Sequence, residues 1–153
     1  MSIDQRLAEL GITLPQPAAP VASYVPAVLT GNLLHISGQV SFAEDGSRIT
    51  GRLGEDMDLE GGQAAARRCG LMLLAQIKDA LGSLDRVSRV VKLGVFVNSS
   101  ADFTDQPKVA NGASDLMAEV FGDAGRHARA AVGVPALPLG VAVEVDAIVE
   151  VRP

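Results

Sequence analysis

The chain has 153 residues, a hydrophobic fraction of 48% and a formal net charge of −5, which fits one globular domain with its own core and excludes a disordered chain. Trp is absent and aromatics make up 3%, and no run of Lys or Arg stands ready to neutralise phosphates, so nucleic-acid binding has little support. A single cysteine, Cys69, excludes an internal disulfide and fits a reducing compartment.

The opening SIDQRLAELG predicts a short helix. Ser2 and Gln5 have capping-box spacing, Ile3, Leu7 and Leu10 share a side, and Gly11 can close it. The segment lacks the basic-then-apolar order of a signal peptide, and no run of about 18 apolar residues follows. A cytoplasmic protein is expected. PQPAAPVASY reads as an extended tether, so residues 1–22 form a helix and tether attached to a single domain spanning 1–153.

Two strands are expected next, Tyr24 to Leu29 and Asn32 to Val40, joined at Thr30-Gly31. Ala43 to Gly54 is glycine-rich and reads as loop with at most a short strand. Leu59 to Leu81 carries helical periodicity, with Leu59, Ala66, Cys69, Leu73, Ile77, Ala80 and Leu81 on one stripe. Glu60, Arg67, Arg68, Lys78 and Asp79 lie opposite. Glycines at 61, 62 and 70 suggest close approach to a sheet. Cys69, on the stripe, reads as a core residue rather than a nucleophile.

Arg89 to Val97 predicts a strand, and Asp105 (a candidate N-cap) to Phe121 a second helix stopped by Gly122. Ala128 to Val134 and Val141 to Val151 complete the chain as strands. The expected fold is α+β, one mixed sheet with two helices on a single face. The other face of so apolar a sheet calls for burial against further copies.

In the last strand the valines at 141, 143, 145, 149 and 151 alternate with Glu144, Asp146 and Glu150, which sends the carboxylates away from the helices. If the last two strands form a hairpin, with Val134 opposite Val141, Arg129 faces Asp146 and lies diagonal to Glu144. That cluster is either an ion pair on a solvated face or a site where the guanidinium fork takes a ligand carboxylate. His127 and Ala131 share the face of Arg129. His127 is a candidate for the rim of such a cleft, or a surface histidine. Two histidines and no His/Cys cluster give a metal site no support.

Several segments together resemble the RidA/YjgF (endoribonuclease L-PSP) family. They are Tyr24-Val25, Ile36-Ser37-Gly38-Gln39, Leu84-Asp85-Arg86-Val87, Asp102-Phe103, Asn111, and Ala128-Arg129 through Leu137-Pro138 to Val143-Glu144-Val145-Asp146. The resemblance implies a chorismate-mutase-like fold and a barrel-cored homotrimer with ligand clefts between subunits. It further implies hydrolysis of enamines and imines such as 2-aminoacrylate to keto acid and ammonia, without cofactor. Arg129 corresponds to the carboxylate-binding arginine, Glu144 to the acid that handles water, Tyr24 to the aromatic that closes the cleft, and Gly38 to a backbone contact. Ser37, Asn111, Ala131 and His127 are the further ligand-binding candidates. Many active members carry cysteine where this chain has Ala131 and proline where it has His127. The alternatives are a non-catalytic carboxylate binder, a ribonuclease or translation inhibitor disfavoured by the acidic charge, and a chorismate-mutase-type enzyme, for which one arginine is too few cations.

Overall fold

A computed structural model describes residues 1–17, 19 and 23–153. The elements are α1 (Ile3–Glu9), β1 (Ala27–Thr30), β2 (Leu33–Val40), α2 (Leu59–Leu81), β3 (Val87–Asn98), α3 (Gln106–Phe121), β4 (Ala128–Val134) and β5 (Val143–Val151). The capping box forms as the sequence requires: Gln5 N donates to Ser2 Oγ at 3.1 Å and Ser2 N to Gln5 Oε1 at 3.0 Å. Leu7 is buried, and Ile3 N donates to Asp85 Oδ1 at 2.8 Å, so this short helix is docked on the domain. Part of the expected tether, residues 18 and 20–22, lies outside the described residues.

Two local boundaries differ from the sequence expectation. The first strand begins at Ala27, not Tyr24, and the hairpin turns on Gly31-Asn32, because Thr30 pairs with Leu33. Gly31 carries φ +58° there, a conformation glycine adopts without a Cβ clash. The 43–54 region makes only isolated bridges, Phe42 with Arg48, Thr50 with Val141 and Leu53 with Met57 and Ser99. Asp105 occupies the N-cap of α3, but its side chain makes no capping bond.

The sheet order is β1-β2-β5-β3-β4, with β3 and β4 parallel and the other neighbours antiparallel. This overturns the expected β4–β5 hairpin. β3 lies between the two strands, pairing Leu93 with both Arg129 of β4 and Ala147 of β5. The reason is the α3 crossover: a strand that returns after a helix lies parallel to its predecessor, and the connection from 135 to 142 then steps over the end of β3. Partners in a parallel pair point to the same side, so Arg129 shares the face of buried Leu93, the helix face. Ala128, Ala130, Val132 and Val134 take the open face. The β5 alternation holds: Val143, Val145, Ala147, Val149 and Val151 are buried against the helices, while Glu144, Asp146, Ile148 and Glu150 are half-buried on the open side.

The core lies between the sheet and α2 and α3. Of the expected stripe on α2, Leu73, Ile77, Cys69 and Ala66 are fully buried, whereas Ala80 is exposed. The helix glycines do not face the sheet as expected. A Cβ at Gly62 would press on Leu53 and Val109, and one at Gly70 on Leu116. From the other side, a Cβ at Gly112 of α3 would overlap the Gln63 carbonyl oxygen. These three positions set a close α2–α3 crossing, in which backbone replaces side chain at the contact. Gly112→Ala, which pits a methyl against an immovable helix backbone, is expected to cost about 3 kcal/mol. Thermal melting should show a Tm lower by about 6–12 °C, and an unchanged Tm would contradict the close crossing.

Candidate functional site

The β2 strand carries a bulge between Ile36 and Gln39, beside β5. Past it the alternation is reset, and Gln39 turns in to pair with Val145 instead of continuing the exposed face of His35. The amide of Gln39 is buried. It donates to the Ser37 carbonyl at 2.9 Å and accepts from Gln76 of α2 at 3.3 Å. Ser37 is fixed in turn, its hydroxyl donating to the Val25 carbonyl and its N–H to that of Pro26, both at 2.9 Å. A cavity of about 540 Å³ opens beside this bulge, with Tyr24, Ser37, Gly38, Pro138, Leu139 and Glu144 among its lining residues. Tyr24 stands at it with 53% of its surface exposed. Gly38 packs directly on the Glu144 carboxyl, where a Cβ would collide with Oε2. Leu139 is held at φ +62°, ψ +10°, a left-handed conformation that costs a leucine about 1–2 kcal/mol. It turns an apolar side chain to the cavity wall.

Burial first, and the neighbouring Asp146 carboxylate second, push the Glu144 carboxyl above its ordinary value of 4.5. A carboxyl whose pKa is raised by burial in a cavity holds its proton more readily than a free one, which suits it to taking and returning a proton. The raised value also has a consequence for stability. The folded state binds this proton more tightly than the unfolded chain, so stability is lost as pH rises from about 4.5 through the folded-state pKa, and the full cost is present above it. Glu144→Gln is therefore expected to raise Tm at pH 7, with the gain shrinking as pH falls and gone below pH 4.5. Melting curves of both proteins across that range check the sign.

Arg129 lies elsewhere, at the edge between β4 and α3. One guanidinium nitrogen, Nη1, donates to Asn111 Oδ1 at 2.8 Å and to Ser114 Oγ at 3.1 Å. Nε and Nη2 have no partner among the described residues. They form a planar fork, half-exposed and oriented from behind, of the kind that takes a carboxylate through two parallel bonds. Ala131 follows on the same face with an inert methyl. His127 sits beside Ser114 on this side as well, with its Nε2 2.9 Å from the hydroxyl oxygen.

The expected meeting of Arg129 with Asp146 and Glu144 therefore does not occur within one chain. Arg129 is on the helix face and the carboxylates are on the open face, with β3 between their strands. The structure instead gathers the candidates into two groups: Tyr24, Ser37, Gly38 and Glu144 in one, and Asn111, His127, Arg129 and Ala131 in the other. Sequence reasoning missed Ser114, Gln39, Gln76 and Leu139. The signal for Gln76 was present, since an amide inside LMLLAQI must find a buried partner. Cys69 is buried, its thiol donating to the Val143 carbonyl at 3.4 Å, and burial raises its pKa far above the thiolate range. It is a core residue as expected. A larger hollow of about 690 Å³, between α1 and the end of α2, contains none of the candidates. Among the described residues no group of His, Cys, Asp or Glu could hold a metal ion, and no helix is long and apolar enough to cross a membrane.

Comparison with known proteins adds to this geometry. A family model described as YjgF/chorismate mutase-like, candidate endoribonuclease, matches residues 4–151. Protein TCP17 of Trypanosoma cruzi is 58% identical over 147 residues, 95% of this chain and 92% of TCP17. The 2-iminobutanoate/2-iminopropanoate deaminase of Dermatophagoides farinae is 29% identical over 142 residues, covering 92% and 95% of the two chains. A solved candidate endoribonuclease of Shewanella oneidensis superposes with a TM-score of 0.94 at 34% identity, over 99% of this chain and 100% of that one.

Proposed function

The chain belongs to the YjgF/chorismate mutase-like family, and we propose that it hydrolyses small carboxylate-bearing enamines and imines of the 2-aminoacrylate type to keto acid and ammonia. The observation that carries this reading is Glu144, a carboxyl with a raised pKa on the wall of an otherwise largely apolar cavity. The deaminase relative is similar along nearly its whole length.

The two groups of residues divide the chemistry. The free fork of Arg129 fixes the substrate carboxylate and draws electron density from the adjacent C=N carbon. Glu144 takes a proton from water as the oxygen adds to that carbon, then returns it to the nitrogen. Collapse of the carbinolamine expels ammonia and leaves the keto acid. Imine and water are consumed and nothing is oxidised, so no redox partner enters the balance. Tyr24 covers the cavity mouth, and the backbone at Gly38 approaches the ligand without a Cβ in the way.

A ligand cannot touch Arg129 and Glu144 of one chain, because they lie on opposite faces of the sheet. We therefore place the working site between copies, the Arg129 group of one subunit completing the Glu144 cavity of the next. A homotrimer accomplishes this and covers the open sheet face, on which Val28 is 52% and Val132 46% exposed.

A second reading, a non-catalytic carboxylate binder, is favoured by the inert methyl of Ala131 beside Arg129. The two separate on release of keto acid from 2-aminoacrylate generated in situ by a dehydratase. Acceleration by the wild type, lost in Arg129→Ala, is expected for the deaminase. Saturable, Arg129-dependent binding of 2-oxobutanoate without acceleration selects the binder. The endoribonuclease label of the family would gain support only from RNA cleavage, which the −5 charge does not favour.

A further inference from the structure

Arg129 is held by more than its two direct partners. His127 Nδ1 lies 2.6 Å from the Gly125 carbonyl oxygen, and a carbonyl can only accept. In the neutral imidazole Nδ1 therefore carries the proton and Nε2 presents its lone pair. Ser114 Oγ, 2.9 Å from Nε2, must then donate its only proton to the ring. With that proton committed, the hydroxyl turns its lone pairs away from His127, and Arg129 Nη1 donates into one of them at 3.1 Å. The directions run without conflict from Arg129 through Ser114 and His127 to the backbone of the 122–125 turn that closes α3. Each donor meets an acceptor, and the order of the chain leaves no other assignment for the neutral ring.

The anchor is rigid at its far end. Gly125 is buried and packs so tightly on the Met117 carbonyl that a Cβ would overlap it. Arg89 of β3 adds a second tie, its Nη2 donating to the Arg126 carbonyl at 2.7 Å. A surface arginine ordinarily loses rotamer entropy when it binds an anion. Here Asn111 on one side and the Ser114–His127 chain on the other restrain the guanidinium in advance, and Nε and Nη2 stay open.

We propose that Ser114 and His127 are positioning residues that hold the Arg129 guanidinium in the orientation that receives a carboxylate. They touch no substrate and act only through Arg129. The proposal rests on the reading of Arg129 as the carboxylate-binding group, and its test contains a part that needs no ligand.

The ligand-free part is NMR of the guanidinium itself. Restricted rotation about the Cζ–Nη bonds of Arg129, seen as distinct Nη signals at low temperature, is expected in the wild type. Averaged signals are expected in Ser114→Ala and in His127→Asn, a variant that keeps a donor for Gly125 and cannot reach Ser114. Ser114→Thr keeps the hydroxyl and should restore the restricted state. The ligand part is calorimetry with 2-oxobutanoate. Ser114→Ala should weaken binding about tenfold, and Ser114→Thr should return it to near the wild-type value. In turnover the loss should fall on KM, with kcat little changed. Averaged Arg129 signals in the wild type, or equal binding by Ser114→Ala and wild type, would overturn the proposal. Restricted rotation lost in the two variants without any keto-acid binding by the wild type would leave the positioning chain standing and refute the carboxylate reading of Arg129.

Discussion

Glu144→Gln is expected to lower the rate of imine hydrolysis by about 10²–10⁴-fold while 2-oxobutanoate still binds. The amide preserves the shape of the side chain against Gly38, where there is no room for a larger group. It cannot accept a proton from attacking water. The loss therefore belongs to the chemical step, and single-turnover release of keto acid separates it from binding. The wild-type profile should also carry the mark of this group. As a base Glu144 must be ionised, so kcat/KM should fall as pH drops through its pKa, which lies above 4.5. The same variant is expected to melt at a higher temperature at pH 7. A residue that costs stability and supports turnover is the pattern of a catalytic acid–base group kept in place by function. Full activity in Glu144→Gln would remove it from the reaction.

How much of this could be read from sequence depends on the range of the interaction involved. Both long helices, the strands and the N-terminal capping box follow from periodicity and capping, which act over a few residues. Period two also placed Glu144 and Asp146 correctly on the face away from the helices. The face of Arg129 depends on which strand lies beside β4, and local periodicity does not specify that neighbour. A six-residue connection such as that from Pro135 to Gly140 can close a hairpin or step over one strand, and the sequence of the loop does not distinguish them. The choice was made by α3, whose crossover docks β4 parallel to β3. One wrong neighbour then put Arg129 on the wrong face, since alternation fixes only which residues share a side. Ser114 was invisible for a related reason. A serine on a helix acquires meaning when its neighbours across the groove are known, and those neighbours are His127 and Arg129 of the misplaced strand. The bulge in β2 is a further case: it moves Gln39 from the side of His35 to that of Val145, and no residue type in Ser37-Gly38-Gln39 announces it beyond the glycine.

The separation of the two groups within one chain makes a second large effect predictable. Arg129→Ala and Glu144→Gln should each be nearly inactive alone, and a mixture of the two, unfolded and refolded together, should regain activity. In the proposed cyclic trimer each site would take Glu144 from one subunit and Arg129 from the next. A site is intact when an Arg129→Ala subunit supplies the carboxyl and a Glu144→Gln subunit supplies the guanidinium. Random assembly from an equal mixture produces that ordered pair at roughly one site in four, so about a quarter of wild-type activity should return. The double variant refolded with wild type provides the control, because it contributes no functional half. A site contained within a single chain predicts no recovery at all, since every chain in the mixture carries a defect. The experiment thus reads the relation between the faces of the sheet directly. The helix-side anchoring of Arg129 by Asn111 and Ser114 and the opposite direction of Glu144 on β5 require that a ligand reaching both be held between two copies.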